Sequence, residues 1–172
     1  TLIGTLGTVG AHSETQKKAA EMFEAYKKDA SKLDPNLVPA VVSILAVSGD
    51  RARYDEFVEH WKNGKTPQEE ERYLFALAGF KQADLLKETL QRTTNGEVRT
   101  QNAPYLLRSV MMNTNGRKLA WEHMNNSWDY ITSKYPDNSI ARMLEGITAL
   151  ICPEMEKTVI QFLKDHPVKQ GG

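Results

Sequence analysis

Apolar residues recur along this chain with the period of a helix, not with the alternation of a strand. After Ser13, which has the capping-box spacing to Gln16, the positions Ala19, Phe23, Tyr26 and Ala30 share one helical face. Asp34-Pro35 marks a turn. Leu37 to Val47 is then apolar nearly all round, as in a helix buried between neighbours. A strand is the alternative for this Val- and Ile-rich run, but no hairpin signal or second strand accompanies it. Gly49-Asp50 separates it from Tyr54, Phe57, Val58 and Trp61, a stripe at i, i+3, i+4 and i+7. Gly64 reads as a left-handed C-terminal cap.

Thr66-Pro67-Gln68-Glu69 is the strongest helix start, with an N-cap Thr, Pro at the first helical position and Glu at N3. Tyr73, Leu74, Leu77 and Ala78 form its buried side. Leu85, Leu86 and Leu90 mark a short helix closed by Asn95-Gly96. Thr100 is the expected cap of the next, which holds Tyr105, Leu106, Val110, Met111 and Met112 and ends at Asn115-Gly116. A longer helix carries Ala120, Met124, Trp128, Ile131 and Tyr135 as far as Pro136. Ile140, Met143, Leu144, Ile147, Leu150 and Ile151 belong to another. Pro153 opens the last, with Met155, Val159, Phe162 and Leu163 expected inward.

These segments amount to about nine helices, and helix pairs repeat every ~30–40 residues. The pattern predicts an all-α fold, a right-handed α-α superhelix of HEAT/ARM-like repeats. One continuous solenoid domain over residues 1–172 is expected, with a closed bundle as the competing architecture.

Charge and composition narrow the function. Lys+Arg and Asp+Glu both number 22, and no basic run stands out, which argues against nucleic-acid binding. No apolar run reaches the ~18 residues of a membrane span. The single cysteine, Cys152, cannot form an intrachain disulfide or a thiolate cluster and reads as a buried structural thiol. The chain starts at Thr1 without an initiator Met and stops at Gly171-Gly172. It is therefore expected to be a piece of a larger multidomain chain, with apolar surface left near Leu2, Ile3 and Leu6.

Catalytic patterns are not found. His12, His60, His123 and His166 are scattered and lack the i, i+4 pairing of a zinc helix, so each reads as a surface or capping residue. There is no G-x-S-x-G elbow, and Gly4, Gly7 and Gly10 follow no strand. Asn125-Asn126-Ser127 matches a glycosylation acceptor but falls inside a predicted helix. Trp61 and Trp128 lie on apolar stripes and read as packing residues, and Glu69-Glu70-Glu71 complements a helix dipole. No catalytic or metal-ligating residue is assigned, and no cofactor is expected in this chain.

Three segments carry a family likeness: Tyr73-Leu74-Phe75-Ala76-Leu77-Ala78 with Leu85, Leu86 and Leu90; Gly96-Glu97-Val98-Arg99-Thr100-Gln101-Asn102; and Asn115-Gly116-Arg117-Lys118-Leu119-Ala120-Trp121 with Trp128. Through them, from Leu37 to about Pro167, the sequence resembles the C-terminal helical-repeat domain of M1-family zinc aminopeptidases, in the branch of the puromycin-sensitive and endoplasmic-reticulum enzymes. Ser127 and Met124 depart from the family's usual Asn and Phe. The resemblance implies a parent enzyme whose zinc, general base and amine-binding motif lie in a separate catalytic domain. That domain and peptide substrates would be the partners of this one.

On that reading the domain walls the parent's active site and restricts peptide access. If the second helix of each pair lines the inside, Arg72, Gln101, Tyr105, Arg108 and Arg142 are the candidates to meet a peptide or its carboxylate, for which the Arg fork is suited. The plain alternative for each is a solvated or ion-paired surface residue. A free-standing helical-repeat adaptor for a protein partner is the second functional reading.

Overall fold

A computed structural model describes residues 2–150 and 153–167. Cys152 and Ile151, with Thr1 and Gly171-Gly172, lie outside the described residues, and so does the reading of Cys152 as a buried thiol. The described chain is all-α, and it forms two compact units that divide between Leu85 and Leu86.

In the first unit, α1 (Leu2–Thr8), α2 (Ser13–Lys28), α3 (Val38–Ser48), α4 (Arg51–Lys62) and α5 (Pro67–Ala76) are joined by 3-10 turns at Ala30–Lys32 and Leu77–Gly79. The apolar run is α3, not a strand. Pro39 sits in its first turn, and Val38, Val41, Val42, Ile44, Leu45 and Ala46 are buried. Packing overrides the β preference of its Val and Ile residues, because α1, α2 and α5 all rest on it. Phe23, Tyr54, Phe57, Tyr73 and Phe80 meet edge to face between α2, α4, α5 and the turn beyond, with centroids 5.2–6.4 Å apart. Across the same helices Lys27 bonds Glu24 at 2.8 Å and Glu56 at 2.5 Å.

Helix α6 (Ala83–Thr94) leads into the second unit, which holds α7 (Ala103–Met112), α8 (Arg117–Asn126), α9 (Trp128–Lys134), α10 (Asp137–Leu144), a 3-10 turn at Glu145–Ala149 and α11 (Pro153–Asp165). Helix α7 is central: α8, α10 and the 3-10 turn pack on it, burying Ala103, Pro104, Leu106, Leu107, Val110 and Met111.

The described residues form eleven α-helices, against the nine expected. One of the two additional helices arises at Ser127, where the predicted long helix ends and restarts, and the other is α1. The Ser127 N–H donates to the His123 and Met124 carbonyls at 3.0 and 3.3 Å, and its own carbonyl accepts from Ile131 at 3.0 Å. Three caps also differ from expectation. His12, not Ser13, caps α2, with Nδ1 facing the Thr15 N–H at 3.3 Å, while Gln16 reaches the Gly7 carbonyl at 2.9 Å. Asn102 occupies the cap position of α7 instead of Thr100, because a turn from Arg99 precedes the helix. Left-handed glycine geometry occurs at Gly96 (φ +87°) and not at Gly64, since α4 ends on Asn63. The Thr66 cap is as read: its hydroxyl accepts the Glu69 N–H at 3.2 Å. On α11 only Phe162 is buried, and Leu163 is 43% exposed.

Candidate functional site

The feature with most chemistry is a pair of arginines held by one carboxylate. Arg108 projects from α7 and Arg142 from α10, and the first residue of the 3-10 turn, Glu145, lies between them. Arg108 Nη2 is 2.9 Å from Glu145 Oε2, and Arg142 Nη1 donates to Oε1 at 2.7 Å. Each carboxylate oxygen therefore serves one guanidinium. Close approach of the turn to α7 makes this possible: a Cβ on Gly146 would sit 3.2 Å from Met111 Sδ and 3.3 Å from Arg108 Cγ.

The electrostatics follow from the geometry. The hydrogen bond from Arg142, and then the charge of Arg108, hold the Glu145 carboxyl below the ordinary carboxylate range. The same bond holds the Arg142 guanidinium above its usual value. All three side chains are partly or well exposed, so the cluster is an accessible surface of net positive charge.

Of the five residues singled out by sequence, the structure brings together Tyr105, Arg108 and Arg142. Tyr105 precedes Arg108 by about one turn on α7 and is 37% exposed. Gln101 is exposed in the turn leading into α7. Arg72 is half-buried on α5 in the first unit. Sequence reasoning missed Glu145. Its signal was available in part, since Arg142 and Glu145 have the i, i+3 spacing of a helical ion pair.

The histidines do not converge. His12 caps α2, His60 stacks on Tyr73 at 4.6 Å, His166 stacks on Phe162 at 4.4 Å, and His123 Nε2 lies 3.2 Å from Thr94 Oγ1. Among the described residues no group of three or more His, Cys, Asp or Glu could hold a metal ion. No described helix is long and apolar enough to cross a membrane. The first unit also holds a largely apolar groove of about 400 Å³ lined by Ile3, Ala19, Met22, Leu37 and Val41 with Lys18. Beside it α1 exposes Leu2, Ile3 and Leu6, as expected from the sequence.

Comparison with known proteins adds family information to this geometry. A family model described as the ERAP1-like C-terminal domain matches residues 1–171. Among relatives, the chain is 27% identical to aminopeptidase M1-A of Oryza sativa subsp. japonica over 172 residues, covering 96% of this chain and 19% of the relative. It is 27% identical to glutamyl aminopeptidase of Rattus norvegicus over 139 residues (80% and 15%), and 27% identical to endoplasmic reticulum aminopeptidase 2 of Homo sapiens over 143 residues (80% and 15%). The chain thus spans less than a fifth of the length of each of these relatives.

Proposed function

Because this chain belongs to the family of ERAP1-like C-terminal domains, we propose that it serves an M1-type zinc aminopeptidase as its non-catalytic helical domain. In this reading zinc and the bond-breaking groups lie in the catalytic domain of the same longer chain. The helical domain walls that site and limits which peptides reach it. The observation that carries the proposal is the match of nearly the whole chain to a C-terminal domain model, while its relatives are named as aminopeptidases.

Within the domain, Arg108 and Arg142, with Tyr105 beside them, are the groups suited to a peptide carboxylate. Two guanidinium groups already hold one carboxylate, that of Glu145, and forked donors suit such an anion.

Reading the gene upstream of Thr1 tests the parent's identity: an H-E-x-x-H helix with a further Glu is expected, and a start codon directly before Thr1 would overturn it. For the residues, charge reversal at Arg108 or Arg142 in the longer enzyme should change the ratio of long- to short-peptide kcat/KM. An unchanged ratio removes both arginines from the substrate path.

A further inference from the structure

The chain contains three Asn-Gly steps, Asn63-Gly64, Asn95-Gly96 and Asn115-Gly116. At such steps the glycine's main-chain nitrogen can approach the preceding side-chain amide with no Cβ in the way. Their surroundings differ sharply. Gly116 is buried, and its N–H donates to the Asn113 carbonyl at 3.0 Å. The Asn63 amide nitrogen is held by the Glu59 carbonyl at 3.0 Å and the Glu59 carboxylate at 3.2 Å, and Gly64 is crowded by Glu70.

Asn95 and Gly96 are both exposed. Gly96 stands in the left-handed region with open space where a Cβ would be, and its N–H has no hydrogen-bond partner among the described residues. The Glu97 N–H donates to Asn95 Oδ1 at 2.9 Å. That bond draws electron density from Cγ and sits where an oxyanion would form.

We propose that Asn95-Gly96 is a self-modification site, at which folding selects one of three chemically alike steps for deamidation. Hydroxide takes the Gly96 amide proton as its nitrogen bonds to Asn95 Cγ, and the Glu97 N–H supports the resulting oxyanion. The Cγ–Nδ2 bond then breaks, and Nδ2 leaves with a proton from water as ammonia. The succinimide ring opens when water adds to either carbonyl, giving aspartate or isoaspartate at position 95. Water is the only co-reactant, and nothing is oxidised or reduced.

The product alters a defined place. A new carboxylate appears at the C-terminal end of α6, where the helix dipole disfavours it. It joins Glu88 and Glu97, which already bond Arg92 at 2.7 and 2.5 Å. The isoaspartate form also adds an atom to the main chain of a loop closed by the bond from Val98 N–H to the Arg92 carbonyl, 3.3 Å. The modification therefore loosens the connection between α6 and α7.

The test is peptide mapping by mass after incubation of the folded protein at mildly alkaline pH, beside the same protein unfolded in urea. In the folded protein Asn95 should deamidate about tenfold faster than Asn63 and Asn115, yielding an isoaspartate and aspartate mixture. The preference should vanish in urea. Equal rates in the folded state, an earlier product at Asn63 or Asn115, a preference that persists in urea, or aspartate alone would each overturn the proposal.

Discussion

The hydroxyl of Tyr135 donates to the main-chain carbonyl of Thr93 at 2.6 Å, tying the C-cap residue of α9 to the last turn of α6. Both groups are buried, and burial pushes the Tyr135 phenol up to about 12. Tyr135→Phe keeps the ring and strands the carbonyl. It should destabilise the fold by about 1–2 kcal/mol, read as a lower urea midpoint with an unchanged slope. A midpoint equal to wild type would show that the bond contributes nothing.

Tyr73 presents the opposite case. Its ring is fully buried among Phe23, Phe57 and His60, yet its hydroxyl has no hydrogen-bond partner among the described residues. Burial pushes this phenol up as well. Tyr73→Phe removes an unsatisfied group without opening a cavity, so it should stabilise by about 1 kcal/mol. Thermal or urea unfolding checks it, and a lowered midpoint would reveal a partner for the hydroxyl.

His123 gives the fold a pH dependence. Burial against the Thr93 and Thr94 hydroxyls, 3.5 and 3.2 Å away, lowers its pKa from 6.5. The unfolded chain therefore takes up the proton first. The stabilisation is fully present above 6.5 and is lost as pH falls through the folded value. Urea midpoints should drop between pH 8 and pH 5, and His123→Asn should flatten that slope. The carboxylates Glu24 and Glu145, held below 4.5, act only at lower pH.

Phe162 fixes α11 by inserting between Trp121 and Trp128, with ring centroids 5.2 and 4.9 Å away. Phe162→Ala should cost about 3 kcal/mol and expose both indoles, shifting tryptophan emission to the red. Unchanged emission would mean that α11 keeps its place by other contacts.

Local chemistry made much of the fold legible. Thr66, Pro67 and Glu69 define a helix start within four residues, and of the Tyr54, Phe57, Val58 and Trp61 stripe the first three proved buried and Trp61 half-buried. What sequence could not supply depends on surfaces distant in the chain. Leu163 fits the apolar face of α11, but a single aromatic slot receives that face and Phe162 takes it. The joint at Ser127 has no Gly or Pro to announce it. At the candidate site, Arg142 with Glu145 is a local pair, whereas Arg108 joins them only because Gly146 lets the 3-10 turn settle on α7.

Ser127 closes α8 and opens α9 with the same peptide units, so the two helices share one phase and have no spare residue between them. A single inserted amino acid there would advance everything downstream by about 100°. Ile131 and Tyr135 would swing off their buried face together, and Thr93 would lose its donor. Insertions and deletions at Ser127 should therefore be excluded, a mark that aligned homologues should bear as a stretch of constant length.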